Sequence, residues 1–201
     1  MSVALRIAVA EDEPRMREFY REVLPLLGHT VVCLASTGKE LLDYCRVALP
    51  DLIIADIKMP EMDGIEACRE ICKDETIPVI LVSAHDDPEY LARANDNQVL
   101  AYLIKPIKRQ DLQPAIQIAV RRHEEFQTMR QEASGLRQAL QDRKLIERAK
   151  GILMKRAHLD ETAAFLRLQK AARDSNRKLV DVAEMILLAD QAYTSEKNDE
   201  T

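Results

Sequence analysis

The chain has 201 residues, of which 47% are hydrophobic and 31% are charged, with only five Gly and eight Pro. This length suits one medium domain with a smaller appendage, and the composition excludes an intrinsically disordered chain. The net charge of −5 hides an asymmetry, because residues 1–120 carry 13 Lys and Arg against 20 Asp and Glu, whereas residues 144–178 carry 10 against 4. The basic segment is compatible with nucleic-acid binding, although a solvated helical face is also common.

The apolar run at the N-terminus ends after Ala10 and contains Arg6, so it is neither a signal peptide nor a membrane span. We therefore expect a cytoplasmic protein with no membrane partner. Four cysteines lie in apolar periodic segments without a C-x-x-C pair: Cys33, Cys45, Cys68 and Cys72. We expect buried, reduced thiols and no metal role for them.

Up to residue 120, five apolar runs alternate with five helical patterns. The predicted strand and helix pairs are Leu5–Ala10 with Pro14–Leu27, Thr30–Ala35 with Gly38–Val47, Asp51–Asp56 with Gly64–Cys72, Pro78–Ser83 with Pro88–Asn95, and Ala101–Ile104 with Arg109–Val120. The runs 52–55 and 79–82 are apolar without alternation, which is typical of parallel strands covered on both faces. The sequence predicts an α/β fold, a doubly wound five-stranded parallel sheet, over residues 1–120.

Strand signals are absent after residue 120. Residues 121–144 show heptad spacing of five apolar residues, namely Phe126, Met129, Ala133, Leu136 and Leu140. This pattern predicts a long linker helix, either a short coiled coil or an exposed connection. Residues 145–193 predict a small three-helix all-α domain, with Asp160 as the N-cap of its second helix, which ends near Asp174, and with a third helix from Leu179 to about Tyr193. Residues 194–201 are predicted to be a flexible tail.

Chemically active residues follow four of the predicted strands, and the carboxyl ends of parallel strands meet at one edge of a sheet. They are Glu11 and Asp12, Asp56, Ser83, and Lys105. Three neighbouring carboxylates repel one another unless a cation lies between them, and hard oxygen ligands suit Mg²⁺. We predict a magnesium site with Glu11, Asp12 and Asp56 among its ligands.

This arrangement also suits phosphoryl transfer to a carboxylate. Asp56 can act as the nucleophile, while Lys105 and the Ser83 hydroxyl stabilise the charge of the phosphoryl oxygens. Any one of these residues alone is unremarkable in a loop. Their joint occurrence at successive strand ends indicates a phosphoacceptor site.

These motifs resemble the receiver domain of two-component response regulators, whose fold is flavodoxin-like. The matching residues are Glu11-Asp12, Asp56 with Met59-Pro60 and Asp63-Gly64, Ser83-Ala84, and Lys105-Pro106. The resemblance implies that a sensor histidine kinase phosphorylates Asp56, that the Lys58 backbone carbonyl joins the metal ligands, and that Ser83 and Tyr102 form a switch pair. One departure is Asn97-Gln98-Val99, where Ala-Gly-Ala is usual.

Residues 145–193 contain no catalytic triad, metal-ligand cluster or glycine-rich phosphate loop. The run Ile146–Met154 and later segments resemble the ANTAR domain, an RNA-binding antiterminator module. This chain departs from the usual ANTAR pattern at three positions. His158 stands where glycine is usual, Asp160 replaces the usual Ser or Thr cap, and Gln169 occupies a position that is often basic. The resemblance implies binding to paired RNA stem-loops in transcript leaders. Candidate contacts are Lys150, Arg167, Lys170, Arg173 and Arg177.

The sequence therefore predicts a phosphorylation-controlled transcription antiterminator that binds Mg²⁺, acts as a homodimer and is not an enzyme, apart from slow self-dephosphorylation. Two alternatives remain open. One is a DNA-binding response regulator, although no convincing recognition helix is present. The other is a protein-interaction relay whose basic helices are merely solvated.

Overall fold

The computed structural model describes residues 3–73, 76–84 and 99–199, with side chains up to residue 191. The chain divides into two compact units, Met1–Thr128 and Met129–Thr201. The predicted helix Pro88–Asn95 lies outside the described residues. So does most of the segment Asn97-Gln98-Val99, which departs from the usual receiver sequence.

The described ranges contain five strands and six helices. In chain order they are β1 Arg6–Ala10, α1 Pro14–Leu26, β2 Thr30–Ala35, α2 Gly38–Val47, β3 Leu52–Asp56, α3 Gly64–Ile71, β4 Val79–Ser83, β5 Val99–Ile104, α4 Arg109–Ala157, α5 Glu161–Ser175 and α6 Leu179–Asp199. The strands form one parallel sheet in the order β2-β1-β3-β4-β5. The predicted doubly wound fold is confirmed, and β5 begins two residues earlier than predicted.

The central strands β3 and β4 are buried on both faces, which explains their continuous apolar sequences. Alternate residues of a strand point to opposite faces, so Ile53 packs in a core with α2 and α3, whereas Ile54 packs in a core with α1 and the start of α4. Every residue of β3 and β4 is buried. The two neighbouring central strands are thus held rigidly, and their carboxyl ends carry predicted site residues.

Helix α4 is longer than predicted. We predicted a helix ending near Val120 and a separate linker helix, but one helix runs from Arg109 to Ala157. No proline lies between residues 115 and 157, and a Cβ added at Gly135 would meet nothing within 4 Å. A single exposed glycine weakens a helix by only about 1 kcal/mol, so it does not end this one.

The second unit is a small helical domain around Ala149, Leu168, Ala172, Val182 and Ala183. Asp160 caps α5, as predicted, because its carboxylate accepts a 2.7 Å hydrogen bond from the Ala163 N–H. His158, in the preceding turn, has a φ of 51°. Glycine adopts this left-handed conformation most easily, which explains why glycine is usual at this position of ANTAR domains. Helix α6 continues to Asp199, past the predicted end near Tyr193, because polar residues can propagate a helix without any apolar periodicity.

The four cysteines are free thiols, and all but the half-buried Cys33 are buried, as predicted. Burial is also the main reason why the pKa of Cys45 is raised to about 12, so this thiol is not a ready nucleophile. Across the described ranges, no helix combines the length and hydropathy that a membrane span requires.

Candidate functional site

The predicted acidic cluster forms at the carboxyl edge of the sheet. Glu11 follows β1 and Asp56 ends β3, and these strands are adjacent, with Ala10 paired to Ala55. Glu11, Asp12 and Asp56 each offer one carboxylate oxygen, and these oxygens all lie within 4.8 Å of one another. Glu11 and Asp56 are buried, whereas Asp12 is exposed. The structure therefore brings together the three predicted side-chain ligands.

Glu11 is the most unusual acid of this cluster because it is completely buried. Its Oε1 accepts hydrogen bonds from the Lys105 ammonium at 2.9 Å and from the Glu13 N–H at 3.3 Å. Burial is the main reason why its pKa is raised to about 7, and the charge of Asp56 adds to this effect. Its Oε2 is buried and has no hydrogen-bond partner within the described part of the chain.

Lys105 is the cation that faces these acids. Its ammonium donates hydrogen bonds to Asp56 Oδ2 at 2.5 Å and to Glu11 Oε1 at 2.9 Å. Burial opposes the charge of Lys105, but its two hydrogen bonds and the two negative charges outweigh this effect, so its pKa is raised. The ammonium therefore stays charged at neutral pH, beside the predicted phosphoacceptor.

Helix α3 begins directly against the backbone of Asp56. A Cβ added at Gly64 would lie 2.0 Å from the Asp56 carbonyl oxygen, so no other residue fits here without displacement. Asp63 caps the helix by accepting a 2.7 Å hydrogen bond from the Glu66 N–H. The loop between Asp56 and this helix includes Glu61 at a φ of 67°, a conformation that is strained for a residue other than glycine.

Of the remaining predicted residues of the first unit, Ser83 and Lys58 lie at the same edge, whereas Tyr102 lies within β5, two residues before its end. Ser83 is buried at the end of β4, and its hydroxyl donates a 2.9 Å hydrogen bond to the Ala84 carbonyl. The Lys58 N–H donates to Asp56 Oδ1 at 3.3 Å. Tyr102 lies on β5 opposite Leu81 and is 37% exposed. The roles of these residues as a phosphate donor, a metal ligand and a switch stay predictions.

Sequence reasoning missed one residue of this neighbourhood, Arg17 on α1. Its guanidinium donates hydrogen bonds to the backbone carbonyls of Glu11 and Asp12, at 2.7 Å each. The available signal was its position in the first turn of α1, the helix that follows the acidic pair. That signal is weak, because an arginine there is usually solvated.

The donor set fits a hard divalent cation. Three carboxylates converge, all ligand atoms are oxygens, and Glu11 Oε2 is a buried acceptor with a lone pair that nothing in the described residues satisfies. A divalent cation would supply the partner that this oxygen lacks, and it would balance charge that Lys105 alone leaves in excess. The residues present are thus compatible with Mg²⁺.

The five predicted RNA contacts of the second unit have three different surroundings. Arg167, Lys170 and Arg173 are exposed on one side of α5, at three-residue spacing. Lys150 is only 8% exposed, and its ammonium binds Glu147 at 2.9 Å and Glu161 at 2.8 Å and lies 5.8 Å from the centre of the Phe165 ring. Arg177 is exposed, and its guanidinium contacts the Met185 sulfur at 2.9 Å.

Comparisons with known families and proteins agree with this geometry. Residues 7–117 match the family described as the response regulator receiver domain, and residues 134–187 match the ANTAR domain. The chain is 38% identical over 186 residues to the transcriptional regulatory protein PdtaR of Mycobacterium tuberculosis, covering 92% of this chain and 91% of PdtaR. A probable transcriptional regulator, ycf27 of Guillardia theta, is 32% identical over 58% of this chain and 46% of its own length.

Two solved receiver domains share the fold of the first unit. One from Clostridium thermocellum superimposes with a TM-score of 0.55 at 31% identity and covers 62% of this chain and 99% of its own. The receiver domain of NarL from Mycobacterium tuberculosis has a TM-score of 0.55 at 29% identity and covers 60% of this chain and 98% of its own. The family matches and the near full-length relative together show that the chain belongs to the response regulators that join a receiver domain to a C-terminal ANTAR domain.

Proposed function

We propose that this response regulator accepts a phosphoryl group on Asp56 from a sensor histidine kinase, and that phosphorylation controls RNA binding by the ANTAR domain. The observation that carries the first half is the convergence of Asp56, Glu11 and Lys105, with the ammonium 2.5 Å from the Asp56 carboxylate. Transfer of a phosphoryl group requires a nucleophilic oxygen, a fixed cation beside it, and a pair of acids that can bind a second cation.

The residues have distinct parts in the proposed transfer. An Asp56 oxygen attacks phosphorus, a P–O bond forms, and the bond to the donor histidine nitrogen breaks, with its electron pair returning to the imidazole. Lys105 then faces the phosphoryl oxygens, and the Ser83 hydroxyl turns from the Ala84 carbonyl to donate to one of them. Glu11, Asp12, Asp56 and the Lys58 carbonyl would hold Mg²⁺, which when bound neutralises charge on the transferring group. The chain acts here as an acceptor rather than as an enzyme.

Labelling with a small phosphodonor tests this assignment. We expect the full chain to incorporate phosphate from acetyl phosphate only when Mg²⁺ is present, and Asp56→Asn to abolish incorporation. Asp43→Asn is the matched control, because it removes an exposed carboxylate that pairs with Arg46 on α2. Labelling of the Asp56→Asn protein at the wild-type level would contradict the proposal.

The ANTAR half is proposed to bind RNA stem-loops in transcript leaders and to prevent terminator formation. Exposed cations at Arg167, Lys170 and Arg173 can contact successive phosphates, since no ion pair within the described residues occupies them. Lys150 is a weaker candidate, because two carboxylates already share its ammonium. Its side chain more directly stabilises the junction between α4 and α5.

Filter binding with leader RNA and with duplex DNA distinguishes the alternatives. We expect salt-sensitive RNA binding that strengthens on phosphorylation, and each of Arg167→Gln and Lys170→Gln to lower the salt slope by about 1. Lys73→Gln is the charge-matched control in the receiver unit, where Lys73 pairs with Glu70. Equal or tighter duplex binding would favour a DNA-binding regulator, and no binding to either would favour a protein relay.

We also propose that the protein acts as a homodimer through α4. Met129, Leu136 and Leu140 are 60%, 68% and 59% exposed, and they belong to the heptad pattern. Large exposed apolar residues at coiled-coil spacing favour pairing with a second copy. Replacing Leu136 and Leu140 by lysine should yield a monomer in light scattering, and an unchanged mass would contradict this mode of association.

A further inference from the structure

The turn that carries the two acids after β1 is bound from both sides. On one side, the Glu11 N–H donates to the Ala35 carbonyl at 3.0 Å, which ties the turn to β2. On the other side, one guanidinium nitrogen of Arg17 donates to the Glu11 carbonyl and to the Asp12 carbonyl, each at 2.7 Å. A charged donor makes short, strong hydrogen bonds to backbone oxygens.

These two bonds constrain the direction of the acidic side chains. Two successive carbonyls held by one planar group fix the peptide planes on either side of Asp12, and these planes set the direction of its Cα–Cβ bond. Asp12 needs this support more than Glu11 does, because Asp12 is exposed whereas Glu11 is completely buried. Both bonds end on carbonyl oxygens rather than on carboxylates, so the carboxylates stay available for a cation.

We propose that Arg17 is a positioning residue that holds Glu11 and Asp12 in the arrangement that binds Mg²⁺. This inference rests on the proposed magnesium site. The two possible effects of Arg17 on metal binding have opposite signs, because Arg17 is itself a cation bonded to the turn that carries Glu11 and Asp12. If its charge were all that mattered, removing it would tighten binding of a divalent cation. If it positions the ligands, removing it weakens that binding.

Calorimetric titration of the unphosphorylated full chain with Mg²⁺ alone separates these outcomes. We expect Arg17→Met, which keeps the aliphatic stem, to raise the Kd about tenfold, the usual effect of losing a residue that orients metal ligands. Arg17→Lys should give an intermediate Kd. Arg21→Met is the matched control, because Arg21 lies one turn further along α1 and pairs only with the exposed Glu18 in the described structure.

Labelling with acetyl phosphate adds a second readout. Saturating Mg²⁺ should restore the labelling rate of the Arg17→Met protein to near the wild-type value, since only ligand placement is impaired. The inference is overturned if Arg17→Met binds Mg²⁺ as tightly as the unsubstituted chain or more tightly, or if Arg21→Met weakens binding equally. If Arg17→Met fails to fold, a wild-type Kd for Arg17→Lys overturns it. No Mg²⁺ uptake by the unsubstituted chain would overturn the proposed site as well.

Discussion

Replacing Gly64 by alanine should damage the receiver site by a steric effect that can be read from the backbone. The added Cβ would lie 2.0 Å from the Asp56 carbonyl oxygen, 3.0 Å from its carbonyl carbon and 3.4 Å from the Ala55 Cβ. Ordinary contacts of a Cβ begin near 3.4 Å, so α3 and the end of β3 must separate by about 1 Å or more. The hydrogen bond from the Gly64 N–H to the Ile57 carbonyl, now 3.0 Å, would stretch with them.

Overpacking of a rigid core typically lowers the free energy of unfolding by about 1–3 kcal/mol. Because β3 is buried along its whole length, we expect the upper part of this range for Gly64→Ala, together with a loss of Mg²⁺-dependent labelling. Gly135→Ala is the matched control, since its Cβ would meet nothing within 4 Å in the middle of α4. It should stabilise the protein by about 0.5–1 kcal/mol.

Urea unfolding followed by circular dichroism, with labelling measured in parallel, tests both substitutions. A Gly64→Ala protein that unfolds at the same urea concentration as the wild type and is labelled at the same rate would contradict the proposed steric clash. A shift in stability of the same sign for both glycine variants would also contradict it.

Three further predictions concern buried or strained groups. Tyr20→Phe should raise the free energy of unfolding by about 1 kcal/mol, because the buried Tyr20 hydroxyl has no hydrogen-bond partner in the described structure. A loss of stability would show that the hydroxyl does have a hydrogen-bond partner. His158→Gly should stabilise the protein by about 0.5 kcal/mol, because relief at a φ of 51° exceeds the added freedom of the unfolded chain; equal urea midpoints would count against strain there. Burial lowers the pKa of His29 below its ordinary 6.5, so the unfolded chain takes up this proton first, and the stability difference between the wild type and His29→Asn should fall as the pH drops below about 6.5. A difference that is constant with pH would contradict this, and using the difference removes the contribution of Glu11, whose pKa of about 7 lies nearby.

The central part of the fold and the acid cluster could be predicted because their signals are local. Continuous apolar runs identify buried parallel strands, and the chemistry of a doubly wound sheet gathers at the strand ends. Glu11, Asp56 and Lys105 therefore meet in the structure as the sequence indicated, although they are far apart along the chain. The cap at Asp160 was predictable for the same reason, since it depends on four consecutive residues.

Features that depend on distant partners could not be predicted in this way. The spacing of Lys150 does not reveal that Glu161, on the next helix, binds its ammonium. Likewise, α4 is long because no residue after Pro114 ends it, and no sequence feature indicates its length directly. The boundary predicted at residue 120 came only from the change in the spacing of apolar residues there. Arg17 was missed because its partners are backbone carbonyls. Every residue has a backbone carbonyl, so such partners cannot be recognised from the sequence.

Lys105 links the chemistry of the site to the rest of the receiver sheet. Its side chain binds Asp56 and Glu11, while its backbone N–H donates a 2.9 Å hydrogen bond to the Ser83 carbonyl. Phosphorylation would convert the Asp56 carboxylate into an acyl phosphate, so the 2.5 Å contact with the ammonium must be exchanged for contacts with phosphoryl oxygens. Since the backbone of Lys105 is bonded to Ser83 at the ends of β4 and β5, we expect that exchange to alter both strands together. A ligand shifts an equilibrium only through contacts that differ between its states, and this ion pair is a contact that cannot survive unchanged.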